Sequence, residues 1–256
     1  MHITKFGHSC LLVEEGGVKI LVDPGSYSTG QNQVRDTDVV LITHEHRDHL
    51  DVGSVKAILE YNPKVKIITG RGAGALLGAQ GIAYQQIEDG EYAMAQNVLI
   101  EAFGKDHALI HSSIPIIENT GFFVAERFFY PGDAFVYPYV REALHAELVR
   151  DTAIRERGSA IFASASLPPL VRENPLASAR VGLPKPVEIL ALPVNAPWMR
   201  IAEAIDYAIE LKPKVCIPVH DGLLKNVQTA HGLPKQILEP MGIEVRVLAI
   251  GDRVRF

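Results

Sequence analysis

Apolar residues recur with two different periods along this chain, and the changes of period mark its elements. Residues 9–14 (SCLLVE) and 18–23 (VKILVD) are apolar runs separated by EGG, the pattern of a β-hairpin. DVVLIT at 38–43 reads as a third strand. Residues 53–61 (GSVKAILEY) switch to helical spacing and stop at Asn62-Pro63, because the residue before a proline is pushed out of the helical region. VKIIT follows as a strand. GIAYQQ, GEYAMA and NVLIEAFG read as short strands with a turn at Asp89-Gly90, and GFFVA and RFFYPG as two more.

From Val140 to about Arg157 the helical period returns: Val140, Leu144, Leu148 and Ile154 are spaced among charged residues, which predicts an amphipathic helix with a charged outer face. A stretch rich in Pro, Ala and Ser then carries no clear period, so residues 137–186 read as a helical and Pro-rich insertion in a single domain spanning 1–256. The strand pattern resumes with VEILALPV. A helix is expected from Met199 to Glu210, then the strand VCIPV leading to His220-Asp221-Gly222, with EVRVLAI and RVRF as closing strands. This order of elements predicts a layered α/β or α+β domain built on mixed sheets.

Composition narrows the class without changing that picture. The 256 residues are 47% hydrophobic and 21% charged, ordinary values for a globular chain with a full core. A net charge of -5 predicts no broad surface attraction to nucleic acid or anionic lipid. The first residues lack a secretory pattern and no apolar run approaches the ~20 residues of a membrane span, so a cytoplasmic protein without a membrane partner is expected. Cys10 and Cys216 each sit inside an apolar run without metal-ligand spacing, which predicts two buried thiols.

Chemistry concentrates where strands end. After DVVLIT the chain reads HEHRDH: His44 and His46, two apart in an extended segment, project to one side and can converge on one ion, while Asp48 and His49 can face a neighbouring point if the chain turns. Imidazoles with a carboxylate suit zinc, iron or manganese better than calcium or magnesium. His107 and His111 follow NVLIEAFG, Asp133 closes RFFYPGD, and His220 closes VCIPVH. Each alone is explained as a polar residue ending a strand; four such clusters together point to a metal site.

HEHRDH, a later histidine, the FFYPGD aspartate and the IPVHDG histidine, in that order, resemble the metallo-β-lactamase superfamily. FGHSCLLVE and ILVDPG resemble its branch of ascorbate-6-phosphate lactonase-like proteins and uncharacterised metal-dependent hydrolases. The resemblance implies a four-layer αββα sandwich with two divalent ions, zinc first and manganese or iron as alternatives, at one edge of the sheets. It implies that His44, His46 and a later histidine, His107 taken ahead of His111, hold one ion. Asp48, His49 and His220 would hold the other, with Asp133 bridging. Asp23 resembles an acid that orients a ligand histidine, and His8 could do the same, contact substrate, or be a buried hydrogen-bonded side chain.

The function expected is hydrolysis of a small ester, lactone, amide (β-lactams included) or phosphoester by a metal-bound hydroxide. Asp48 would orient the nucleophile and relay its proton, and His111 would assist the leaving group. A small molecule is the expected partner and a homo-oligomer is compatible with the charged helix. The alternatives are a metal-dependent nuclease acting on RNA, a metal-binding protein without turnover, and a dinucleotide-binding protein. For the last, Gly70, Gly72 and Ala75 in GRGAGALLG match G-x-G-x-x-A, with Glu88 near the ribose-binding position. The same glycines are explained by a tight strand-to-helix turn and close packing.

Overall fold

Two seven-stranded mixed sheets form the centre of the computed structural model, which describes residues 1–139 and 185–256. Met1–Tyr137 and Pro186–Phe256 together make one compact unit. The helix expected from Val140 and the Pro-rich stretch after it lie outside the described residues.

The first sheet has the order β14-β1-β2-β3-β4-β5-β6, from β1 (His2–Gly7), β2 (Cys10–Glu15), β3 (Val18–Val22), β4 (Val39–Ile42), β5 (Lys66–Thr69), β6 (Gln85–Gln86) and β14 (Arg253–Arg255). The second has the order β13-β12-β11-β10-β9-β8-β7, from β7 (Tyr92–Ala95), β8 (Val98–Phe103), β9 (Gly121–Val124), β10 (Phe128–Tyr130), β11 (Ile189–Pro193), β12 (Val215–Val219) and β13 (Glu244–Val245). Each sheet is antiparallel on one side and parallel on the other: β3 to β6 run parallel in the first, β10 to β13 in the second.

Strand alternation explains the layering. Along β2 to β4, Leu11, Val13, Ile20, Val22, Val39 and Leu41 enter the core between the sheets, where they meet Ile100, Phe122, Phe128, Ile189 and Ile217. The alternate residues Cys10, Leu12, Leu21, Val40 and Ile42 face the other way, onto Val55, Ile58 and Leu77 of helices α1 (Val52–Tyr61) and α2 (Arg71–Ala79). Helix α3 (Ile201–Leu211) packs on β11, and α4 (Gln228–Leu238) on β13 and α3, completing the αββα order. Both cysteines are buried and unpaired, and burial pushes the Cys216 thiol up to about 12. Among the described residues no helix is long and apolar enough to cross a membrane.

Three departures from the sequence pattern have physical causes. Strand β1 is hidden by its polar residues; Lys5 is buried because its Nζ donates to the Pro218 carbonyl at 3.0 Å and to Asp221 Oδ2 at 2.6 Å. Helix α4 runs through Pro234, which sequence rules treat as a breaker, because Ala230, Pro234 and Leu238 form one buried face. EVRVLAI forms a strand over Glu244–Val245 only, with Val247 and Ile250 turned outward at 42% and 61% exposure.

The Asp51 side chain caps α1, accepting from the Ser54 backbone N–H at 2.8 Å. Asp51→Ala should therefore cost ~1 kcal/mol, whereas Leu41→Ala, emptying a fully buried place between the sheets, should cost ~2–5 kcal/mol. Equilibrium denaturation midpoints check the ranking.

Candidate metal centre

Parallel strands deliver their last residues to one edge of the sandwich, and there the chain leaves regular structure. β4 ends at Ile42 and is followed by Thr43 and His44; β10 leads through Pro131-Gly132 to Asp133; β12 ends one residue before His220. His8, Asp23 and His220, all non-glycine residues at strand ends here, adopt left-handed φ values of 47°, 45° and 63°.

The side chains gather in three overlapping groups. Ligand-capable atoms of His44, His46 and His107 lie within 4.8 Å of one another, as do those of His8, Asp48, His49 and His220; a third group, His44, His49 and Asp133, joins them. His44 Nε2 stands 3.1 Å from His46 Nδ1, close to the ~3.3 Å that separates two nitrogens on a tetrahedral zinc ion. His111 does not join them: it is exposed and its Nδ1 pairs with Ser113 Oγ at 2.8 Å.

Outer hydrogen bonds decide which ring nitrogens face inward. Thr43 Oγ1 donates to Asp23 Oδ2 at 2.8 Å, and with its one proton so used it accepts from His44 Nδ1 at 3.0 Å. His49 Nδ1 donates to Asp23 Oδ2 at 2.6 Å, His107 Nδ1 to the Ala108 carbonyl at 2.6 Å, and His220 Nδ1 to the Asn195 carbonyl. All four rings thereby turn Nε2 toward the centre, the arrangement that outer partners impose on ligand histidines.

Several of those inward atoms make no well-formed hydrogen bond. His107 Nε2, His220 Nε2 and Asp133 Oδ1 are buried without one, although His220 Nε2 lies 3.1 Å from Asp133 Oδ2 and His49 Nε2 3.2 Å from Asp133 Oδ1. Buried polar atoms are normally satisfied. Orphaned imidazole nitrogens around an orphaned carboxylate oxygen fit a soft-to-borderline divalent cation.

Charge is correspondingly concentrated. Burial works to raise Asp133, yet His49, His107 and His220 hold its carboxyl well below the usual range. Burial likewise opposes the shift of His49, which Asp133 and Asp23 raise well above the ordinary value, and of His220, which Asp133 and Asp48 push up to about 9. His44 is lowered instead, by burial and by the neighbouring His49.

Three contributors were not legible in the sequence. Trp198, the single tryptophan, donates from Nε1 to Asp133 Oδ2 at 3.0 Å. Asn119 Oδ1 accepts from the Asp133 backbone N–H at 3.0 Å. Thr43 joins Asp23 to His44; its place directly before HEHRDH is the one signal that could have marked it. Gly25, in the DPG turn, packs so tightly on the ligand loop that a Cβ there would lie 1.9 Å from the Asp48 carbonyl oxygen.

The G-x-G-x-x-A stretch serves packing. A Cβ on Gly74 would meet the Tyr84 ring at 2.3 Å and one on Gly70 the Thr120 hydroxyl at 2.5 Å, while the Gly72 N–H at the start of α2 already donates to Glu118 Oε2 at 2.7 Å.

Comparison with known proteins bears on the family and the fold. Residues 2–148, more than half of the chain, match the family described as β-lactamase superfamily domain. The chain belongs to the metallo-β-lactamase superfamily. It is 30% identical over 229 residues to protein Rv0786c of Mycobacterium tuberculosis, covering 88% of this chain and 85% of that one. It is 33% identical over 98 residues to a protein named UPF0173 metal-dependent hydrolase in Chelativorans sp., 36% of this chain and 41% of the other. The solved structure of Igni18, a metallo hydrolase of Ignicoccus hospitalis, shares the fold with a TM-score of 0.64 at 18% identity, covering all of this chain and 97% of that one.

Two outcomes are expected. Gly25→Ala should displace the Asp48-His49 peptide, costing ~1–3 kcal/mol of stability and weakening divalent-ion uptake, measured by denaturation and by metal analysis. In chelator-treated protein, the stabilisation from protonated His220 is complete below its unfolded value near 6.5 and is lost as pH rises through about 9. Denaturation midpoints across that window should fall more steeply for the wild type than for His220→Gln.

Proposed function

We propose that the chain is a metallo-hydrolase holding two divalent ions, zinc first among them, and acting on a small ester, lactone, amide or phosphoester. In this reading His44, His46 and His107 hold one ion, Asp48, His49 and His220 the other, and Asp133 both. The supporting observation is the orphaned set of His107 Nε2, His220 Nε2 and Asp133 Oδ1 in a buried centre. The names of the relatives, metal-dependent hydrolase among them, agree with this class.

Bound there, such ions lower the pKa of water toward ~7 and polarise the oxygen under attack. The chain's own residues set the stage for that chemistry. Asp23 and Thr43 hold the protons on His49 and His44 at Nδ1, leaving Nε2 of each directed inward. Burial alone would raise Asp48, but His220, His8 and His49 keep it well below the usual carboxylate range. Asp48 therefore stays anionic and is suited to orienting an attacking water. Trp198 anchors Asp133 at Oδ2, and Oδ1, 3.2 Å from His49 Nε2, faces the centre. His111 has no part in this proposal, since its ring is exposed and engaged by Ser113.

His46→Ala and Asp133→Ala should each lower bound metal and reduce hydrolysis of activated esters or phosphodiesters by at least ~100-fold, as losses of metal ligands or of transition-state stabilisation do. Metal analysis is paired with a panel of lactone, β-lactam, phosphodiester and RNA substrates. Full activity in metal-free protein would overturn the reading; RNA cleavage with a steep salt dependence would move it to a nuclease.

A further inference from the structure

Of the four side chains grouped around the second position, His8 is the one the two-ion reading leaves without a role. It is fully buried, in the turn between β1 and β2, and its ligand-capable atom lies within 4.8 Å of those of Asp48, His49 and His220. By distance alone it would be a fourth ligand.

Its hydrogen bonds argue otherwise. The Gly222 backbone N–H donates to His8 Nδ1 at 3.0 Å. A nitrogen that accepts an N–H carries no proton, so the ring's proton sits on Nε2. Nε2 stands 3.2 Å from Asp48 Oδ2, an atom that can only accept while the carboxylate is ionised. To bind a cation through Nε2 the ring would have to move that proton to Nδ1, where it would face the Gly222 donor head on. Gly222 cannot be treated as loosely placed: a Cβ there would come within 2.9 Å of His8 Cβ, so the two turns are in close contact. A second bond, from the His220 backbone N–H to the His8 carbonyl at 3.1 Å, closes the same contact. Beyond it, Asp221 is pinned by Lys5 Nζ at 2.6 Å and by His231 Nε2 at 2.8 Å, which fixes the 220–222 turn in place.

We infer that His8 is a positioning residue, held by Gly222 in its Nε2–H form so that it donates to Asp48, and that it is not a ligand of the second ion. Oδ2 of Asp48 has a second lone pair, so accepting from His8 and serving an ion are compatible. The consequence is a link between segments far apart in the chain: the turn at 220–222 sets the tautomer of His8, and His8 sets the direction of the Asp48 carboxylate. This inference rests on the assignment of Asp48, His49 and His220 to one ion.

The test uses zinc titration against a chelator, followed by Trp198 fluorescence, on wild type, His8→Phe and His8→Gln, with thermal unfolding to verify folding. Glutamine places an N–H near the position of Nε2; phenylalanine keeps the ring shape and removes the donor. His8→Phe should bind as many ions as the wild type at saturation, with one of them held about 10–100-fold less tightly, the usual loss when an outer partner of a ligand is removed. His8→Gln should recover most of that loss. One ion fewer in both variants would make His8 a ligand and overturn the inference, and wild-type affinity in His8→Phe would remove the positioning role. A measurement without mutation stands beside these: nitrogen NMR of the histidines should show His8 protonated at Nε2 with and without zinc, and a proton on Nδ1 in the zinc-loaded protein would overturn it. If the wild type takes up no divalent ion at all, the two-ion reading is what fails, and the tautomer in metal-free protein still reports on His8.

Discussion

An ionised carboxylate cannot be buried without compensation, and Asp133, 3% exposed, is where this structure meets that constraint. Its oxygens lie among His49, His107 and His220, with Trp198 donating from the side and Asn119 steadying the backbone. Remove those partners and the charge would cost several kcal/mol. The loops that bring them from both sheets are therefore not free to drift. The left-handed turns at Asp23 and His220 and the close approach at Gly25 lie at this same edge.

The same economy appears around Asp23. One buried carboxylate accepts from the Thr43 backbone, the Thr43 hydroxyl and the His49 ring. It thus ties the end of β3 to the start of the HEHRDH loop in the neighbouring parallel strand. Gly25 then lets the following turn lie flat against Asp48. Stability and site geometry are not separable here, since the bonds that satisfy buried acids also choose the histidine tautomers.

How much of this could be read in the sequence depends on how local the cause is. Strands β2 to β5 and the HEHRDH loop were legible because period-two alternation and ligand spacing are properties of adjacent residues. His107 is buried near His44 and His46 whereas His111 is exposed, a difference that their shared position after one strand does not reveal. Strand β1 was hidden because its Lys5 is neutralised by Asp221, more than two hundred residues away. Trp198 and Asn119 carry no local mark of their role; each is defined by reaching Asp133 from another loop. Helix α4 was masked by Gly232 and Pro234, whose propensity is overridden by a buried face.

The distribution of the inward-facing side chains between the two sheets also has a consequence for the newly made chain. His44, His46, Asp48 and His49 leave the first sheet, while His107, Asp133 and His220 belong to the second. At ordinary rates of synthesis, His220 follows His44 by roughly 10–35 s. Through that interval the nascent chain carries the HEHRDH side chains without the partners that place them, and a site that is not preformed binds a cation weakly. Tight uptake of any cation must therefore wait until the second sheet has delivered His107, Asp133 and His220.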